Sequence, residues 1–246
     1  MIIWGLNPVM EALRANRVRR LRVGPRSDQR IADAIELARK RGVSIERVDG
    51  SSLERAARGG VHQGVIAEVD EPREYAPSDL VAAAAPDAAL IVVLDSVEDP
   101  HNVGAILRTV DAVGGHGVVR QSRHAAALDG VVAKASAGAV ASVRIATVVN
   151  IARAVEELKE AGVWTIGLAD DAPERYDAID LTAPTALVLG AEGAGLRRLV
   201  RDRCDRVASI PMRGAVGSLN VSVAAGVMLY EAVRQRGKAK TEKGEG

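Results

Sequence analysis

The chain of 246 residues carries 33 Lys+Arg against 32 Asp+Glu, is 48% apolar and contains no Phe, so a globular core must be filled by Val, Ile, Leu and Ala. The single cysteine, Cys204, excludes an intrachain disulfide and fits a reducing compartment. No apolar run approaches the roughly 20 residues of a membrane span, and Met1-Ile2-Ile3-Trp4 is not the start of a signal peptide, so a cytoplasmic protein is expected.

Residues 1–70 hold 13 Lys+Arg against 9 Asp+Glu, whereas the remainder holds 20 against 23. The first segment is therefore the one predicted to meet a polyanion, although a solvated surface explains so mild an excess equally well. It reads as a small α/β unit. Asn7-Pro8 opens a helix with Asn7 as its cap, and Val18–Val23 is a strand interleaved with arginines. Asp28–Arg41 is a helix closed by Gly42, and Ser44–Val48 is a strand. Ser51 and Glu54 have the spacing of a capping box, and Val65–Val69 is the last strand, preceded by the loop Val61-His62-Gln63-Gly64. Residues 71–86 are predicted to be a polar linker followed by a short Ala-rich helix, capped by Ser78 and ended by Pro86.

The second unit begins with Leu90–Leu94, a fully apolar run of the kind found in central parallel strands. A helix from about Val103 to Val113 follows, with Asn102 placed to cap it and Arg108 within it. Further strands are predicted at Val118–Val119, Val143–Ala146, Val163–Ile166, Leu187–Leu189 and Val207–Ile210. Helices are predicted near Gly130–Ala137, at Ile151–Ala161 and from Ser218 to about Arg236. Strands alternating with helices imply α/β architecture, a mostly parallel sheet with helices on both faces. Residues 238–246 are charged and Gly-rich and are expected to be a disordered tail.

Leu187–Leu189 runs into the Gly cluster Gly190-Ala191-Glu192-Gly193-Ala194-Gly195, Val207–Ile210 stops at Pro211, and a helix starts after Ser218. Ligands of open α/β sheets sit at the carboxyl ends of strands, which makes Glu192, Ser218 and Asn220 candidates to face a site. Other chemistries are set aside. There is no GxxxxGK[ST] loop, and Gly190, Gly193 and Gly195 run in the reverse order to a dinucleotide fingerprint. His62, His101, His116 and His124 lack paired ligand spacing, so no metal site is predicted. Ser218 has no Gly-x-Ser-x-Gly context.

Three motifs stand in the second unit: Asp99-Pro100-His101-Asn102-Val103-Gly104-Ala105 with Arg108; Gly190-Ala191-Glu192-Gly193; and Ser209-Ile210-Pro211-Met212 through Ser218-Leu219-Asn220-Val221-Ser222. Together they resemble the signature motifs of the SpoU (TrmH-like) RNA ribose 2′-O-methyltransferases, in that family's order and across nearly all of residues 89–236. The first unit resembles the family's substrate-binding domain, of the kind shared with some RNA-binding ribosomal proteins. Trp4-Gly5-Leu6-Asn7-Pro8-Val9, Val61-His62-Gln63-Gly64 and Glu231-Ala232-Val233-Arg234-Gln235-Arg236 resemble the members that act on a guanosine of 23S rRNA.

The resemblance implies a SPOUT-type trefoil knot at the carboxyl edge of the sheet and a homodimer formed through the knotted domain of residues 87–237. It implies S-adenosyl-L-methionine as cofactor, held by Gly190, Ile210 and Leu219 with Gly195 and Met212 in the same loops. Arg108, Asn102, Glu192, Ser218 and Asn220 match its catalytic positions. A guanidinium is a poor base, so Arg108 is expected to grip a phosphate and stabilise the developing alkoxide, with Asn102 orienting Arg108 or the ribose and Glu192 positioning Asn102 or Arg108 by a charge-assisted hydrogen bond. Arg17, Arg19, Arg20, Arg22 and Arg26 are candidate phosphate contacts for the RNA.

Each site residue also has a purely structural reading. Asn102 and Ser218 could be helix caps, Arg108 a solvated helix arginine, and Glu192 a partner of Arg197 or Arg198, while His62 and Gln63 could either touch RNA or hold a turn. Ala194 and Gly217 depart from the residues some members carry, which touches fine cofactor contacts and not the reaction class. Relatives acting on tRNA or on another rRNA nucleoside, including the thiostrepton-resistance type, share these motifs. The rival of another class is a non-catalytic RNA-binding assembly factor.

Overall fold

The computed structural model describes residues 2–14, 16–26, 28–57, 60–69, 74–128 and 130–242. The chain divides into two compact units, Met1–Arg73 and Glu74–Gly246. In the first, β1 (Ile2–Trp4), α1 (Leu6–Arg14), β2 (Val18–Val23), α2 (Gln29–Lys40), β3 (Ser44–Arg47), α3 (Gly50–Ala57) and β4 (Val65–Val69) build a four-stranded sheet of order β1-β4-β2-β3. β4 is antiparallel to β1 and β2, whereas β2 and β3 are parallel.

The strand β1 is absent from the sequence reading, because three residues are too few to show a period. The caps differ as well. Asp28 caps α2 as predicted, its Oδ1 accepting from Ile31 N at 3.0 Å. Asn7, however, lies inside α1 and accepts from Arg30, while the Gln63 Oε1 accepts from Leu6 N at 3.0 Å. Asp49, not Ser51, caps α3, accepting from Ser52 N at 2.7 Å. A carboxylate two residues upstream outcompetes the hydroxyl.

The second unit contains α4 (Pro77–Ala82), β5 (Leu90–Leu94), α5 (Pro100–Ala112), β6 (Gly117–Gln121), α6 (Gly130–Ala135), β7 (Ile145–Val148), α7 (Ile151–Glu160), β8 (Trp164–Leu168), β9 (Glu174–Arg175), β10 (Thr185–Leu189), α8 (Arg198–Arg203), β11 (Arg206–Ser209) and α9 (Val221–Glu242). Its sheet has the order β7-β6-β5-β10-β8-β11-β9, and every pairing is parallel. Period-two alternation splits the central strands between two cores. Leu90, Val92, Leu94, Leu187 and Leu189 face α5 and α9 with Ile106, Leu107, Met228 and Leu229. Ile91, Val93, Ala186 and Val188 face the other side with Leu80, Ile151 and Leu158. Burial on both faces is why β5 and β10 read as unbroken apolar runs. Each fully buried Leu or Ile here contributes about 2 kcal/mol.

Three boundaries differ from the sequence reading. The predicted linker is shorter than read, since Tyr75 already packs against the second core and pairs with Ala146, whereas the short helix predicted after it is present as α4, with Leu80 and, just past it, Ala84 buried in that core; residues 70–73 lie outside the described residues. No side chain caps α4; instead its Asp79 carboxylate accepts from Ala76 N at 2.8 Å, so Ser78 is not the cap. The last helix continues through 238–242, and only 243–246 of the expected tail lie outside the described residues. Lys and Ala at 238–240 are good helix formers, so the charge that reads as disorder extends the helix instead. No described helix is long and apolar enough to cross a membrane. Burial pushes the Cys204 thiol up to about 12, aided by the Asp205 carboxylate, so this cysteine is a packing group.

The closing motif of α9 acquires a physical role. Arg236 donates to four backbone carbonyls: Nε to Leu181 at 3.0 Å, Nη1 to Ala88 at 2.7 Å, and Nη2 to Ala89 and Ala183, both at 2.9 Å. Gln235 accepts from Leu181 N at 2.8 Å and donates to Ile179 O at 3.0 Å. Together they pin the end of the chain to the segments entering β5 and β10. The planar fork of a guanidinium spans these acceptors, and an ammonium cannot. Arg236→Lys should therefore lower unfolding free energy by about 3 kcal/mol, read as a lower urea midpoint with an unchanged m-value.

Candidate active site

The sheet order brings the carboxyl ends of β5, β10, β8 and β11 side by side, the edge where open parallel sheets bind ligands. At β10 the chain turns through Gly190–Gly195. Ala191 N donates to Gly195 O at 3.1 Å and Gly195 N to Ala191 O at 2.8 Å, closing the loop with a two-bond bridge. Gly193 and Gly195 take positive φ, 78° and 68°. A Cβ on Gly190 would overlap the backbone of Gly195 and Leu196. This is why the cluster is glycine: the loop folds back against its own root.

A buried carboxylate paired with a half-exposed arginine anchors the base of the loop. Asp95, at the end of β5, is fully buried. It accepts from Arg197 N at 2.9 Å and from Arg197 Nε at 2.6 Å, and Arg197 Nη2 reaches Gln121 Oε1 at 3.0 Å. A buried carboxylate needs such pairing. The partners are 102 residues apart, so nothing local in the sequence indicates them. Glu192 therefore does not pair with Arg197 or Arg198; the latter faces Asp202.

Glu192 instead closes a ring that joins all three motifs. Asn102 Nδ2 donates to Glu192 Oε2 at 3.1 Å, and Asn220 Nδ2 donates to Asn102 Oδ1 at 2.9 Å and to Glu192 Oε1 at 3.4 Å. Asn102 is not the cap of α5. Asp99 is, accepting from His101 N at 2.9 Å, and Asn102 sits inside the helix, 6% exposed. Ser218 is not the cap of α9 either. Asn220 is, accepting from Ser222 N at 2.9 Å and from Ser222 Oγ at 2.6 Å. One amide thus both caps a helix and completes the ring. Asn220→Ala removes both functions and is expected to weaken cofactor binding or turnover by 10- to 100-fold, or about 1.4–2.7 kcal/mol, in a two-substrate kinetic titration.

The loops enclose a cavity of about 260 Å³ lined by Gly190–Leu196, Ile210, Met212, Ser218 and Leu219, with Leu168–Asp171 and Arg201 across from them. Gly190, Gly195, Ile210, Met212 and Leu219 all line it, together with Glu192 and Ser218. The segment Leu168–Asp171 was missed by sequence reasoning; its signal was the end of one more apolar strand. Arg201 Nη1 donates to Asp171 Oδ2 at 2.9 Å, and that guanidinium holds the Asp171 carboxyl below its usual range. With Glu192, Asp170 and Asp171 against Arg201, the walls carry net negative charge, which suits a cationic ligand. Apolar walls, open backbone groups and this charge fit S-adenosyl-L-methionine, a sulfonium.

Arg108 is the one site residue that stands apart. It is exposed on α5, six residues after Asn102 and hence about 9 Å farther along the helix and on a different side. It has no hydrogen-bond or ion-pair partner among the described residues, so Glu192 and Asn102 hold each other and not Arg108. In the first unit Arg20 and Arg22, by contrast, are already paired: Arg22 meets Glu68 at 2.5 Å and Glu46 at 3.4 Å, and Arg20 meets Glu46 at 3.6 Å.

Comparison with known proteins agrees with this geometry. Residues 89–230 match the SpoU rRNA Methylase family, and residues 2–75 match a family described as RNA 2′-O ribose methyltransferase substrate binding. An uncharacterized tRNA/rRNA methyltransferase of Mycolicibacterium vanbaalenii is 44% identical over 97% of this chain and 77% of its own. The 23S rRNA (guanosine-2′-O-)-methyltransferase RlmB of Yersinia pestis is 42% identical over 96% of this chain and 98% of its own. Among solved structures, the SpoU methyltransferase AviRb of Streptomyces viridochromogenes, in complex with AdoMet, superposes with a TM-score of 0.67 at 29% identity, covering 97% of this chain and 91% of that one. The cavity at the carboxyl edge and the ring of Asn102, Glu192 and Asn220 are thus those of a chain that belongs to the SpoU rRNA methylase family.

Proposed function

We propose that this chain transfers a methyl group from S-adenosyl-L-methionine to the ribose 2′-hydroxyl of a guanosine in 23S rRNA. The observation that carries the reading is the Asn102–Glu192–Asn220 ring bordering a glycine-walled, net-negative cavity. When bound there, the cofactor supplies an electrophilic methyl on a sulfonium. Backbone groups of Gly190–Leu196 read the adenine edge, and Ile210 and Leu219 form its apolar walls. Glu192 orients both amides, and Ser218 completes the polar rim. Arg108, exposed and with no partner among the described residues, grips the neighbouring phosphate and stabilises negative charge on the 2′-oxygen. The guanidinium remains protonated, so the hydroxyl proton passes to water or a phosphate oxygen.

Residues 1–70, with the net positive charge, hold the folded RNA. The knotted arrangement follows the family, and Val223, Tyr230 and Val233 form an exposed apolar stripe on α9 (51%, 57% and 39%) that fits a homodimer contact made by this unit. A cytoplasmic location suits such a substrate. Mapping 2′-O-methyl positions in rRNA and tRNA from cells lacking the protein tests the assignment. Loss of one 23S rRNA guanosine methylation is expected; loss in tRNA, or at another nucleoside, would transfer the assignment there.

A further inference from the structure

The first unit contains a cavity of about 470 Å³, within the roughly 300–1,000 Å³ of small-molecule sites. Two motifs noted in the sequence interlock beside it. Gln63, at φ 52°, turns its side chain away to accept from Leu6 N, and Gly64, at φ 88°, donates to His62 Nδ1 at 3.1 Å. Gly64 O in turn accepts from Gly24 N at 2.9 Å, and a Cβ on Gly60 would overlap the Trp4 indole. The loop is therefore held from several sides in a backbone that a non-glycine residue adopts only at some cost, the kind of strain found at binding loops. Because His62 Nδ1 is an acceptor, the neutral ring carries its proton on Nε2.

The lining chooses among ligands. Leu53 forms an apolar floor, 1% exposed. Backbone of Gly50, Gly60 and Gly64 gives close-approach surface with carbonyl acceptors; the Gly60 and Gly64 N–H groups are already bonded, to Ala57 O and His62 Nδ1. His62 and Arg26 flank Gly64, the latter with its Cβ against that residue. Among the described lining residues the one guanidinium, that of Arg26, already meets Asp28 at 3.2 Å, and Glu54 adds a carboxylate. These carboxylates disfavour a phosphate, whereas a planar heterocycle can stack on an imidazole or guanidinium plane and hydrogen-bond its edge to backbone carbonyls and carboxylate.

We propose that this cavity receives a single unstacked nucleobase of the RNA substrate, with His62 and Arg26 as its stacking partners. The proposal rests on the RNA-substrate reading above and deepens it, because it assigns to the first unit recognition of an extruded base and not of duplex backbone alone.

The probe is a fluorescein-labelled RNA hairpin made in three forms: with one bulged nucleotide, with an abasic bulge, and fully paired. Anisotropy titrations use the full-length chain. The bulged hairpin should bind at least tenfold tighter than the other two. Gly50 lines the cavity, has no positive φ, and a Cβ there meets nothing within 4 Å, so Gly50→Phe fills the space without backbone conflict and should abolish the preference. His62→Asn keeps an acceptor for Gly64 N–H while removing the ring; it should reduce the preference and decides the matter if Gly50→Phe fails to fold. Equal binding of the three hairpins, no RNA binding at all, or a preference retained in both variants would overturn the proposal. None of these readouts involves methyl transfer, so failure of the catalytic reading is seen separately, as absent methylation with the bulge preference intact.

Discussion

Arg108→Ala should lower kcat for methyl transfer by about 10³-fold, or roughly 4 kcal/mol, while leaving the affinity for S-adenosyl-L-methionine within about twofold. The split follows from position. Arg108 is exposed on α5, does not line the cavity, and has no intramolecular partner among the described residues, so its removal disturbs neither the cofactor walls nor the ring. What is lost is the charge that stabilises the reacting oxygen. Arg108→Lys should recover only part of the rate, because an ammonium keeps the charge but not the bidentate fork for a phosphate. Rapid-quench turnover together with calorimetric cofactor titration reads both quantities. Equal rates in wild type and Arg108→Ala would leave this residue as a solvated helix arginine.

Gly190→Ala should have the opposite signature. One methyl group there overlaps backbone atoms of Gly195 and Leu196, and backbone cannot rotate away as a side chain can. The loop must open, and it is tied at its base by the Asp95–Arg197 pair and across its neck by the Ala191–Gly195 bridge. Overpacking against fixed atoms costs about 3 kcal/mol, and the displaced segment carries Glu192 and most of one cavity wall. Loss of measurable cofactor binding is expected, accompanied by a clearly lower melting temperature. Normal cofactor affinity in a folded Gly190→Ala protein would show that this wall does not touch the ligand. Gly193 offers a contrast, since a Cβ there meets nothing within 4 Å and only its φ of 78° opposes substitution.

The two cores and the parallel order were legible because burial on both faces writes a plain apolar run into β5 and β10. The Gly cluster was legible for the same kind of reason: a tight approach forces one residue type. Caps were less so. Asn102, Ser51 and Ser218 each sit where a cap would suit, yet Asp99, Asp49 and Asn220 take the role, because a competing acceptor lies two or three residues away and only geometry selects it. The ring of Asn102, Glu192 and Asn220 was foreseen as a set through family motifs, with Glu192 as one possible partner of Asn102, but not the bonds Asn220 makes to both; contacts across 90 and 118 residues leave no periodicity. Asp95 with Arg197, and Arg236 with its four carbonyls, were invisible for that reason. Their partners are brought together by the sheet order, and most of those partners are backbone atoms.

The geometry implies that a donor held at the carboxyl edge of the sheet methylates a ribose oxygen. Unmodified 23S rRNA incubated with the full-length chain and isotopically labelled S-adenosyl-L-methionine, then digested to nucleosides and resolved by mass spectrometry, tests it directly. The label should appear in 2′-O-methylguanosine, at one site per rRNA. Label on a base, or none on any nucleoside while calorimetry shows the donor bound, would contradict it.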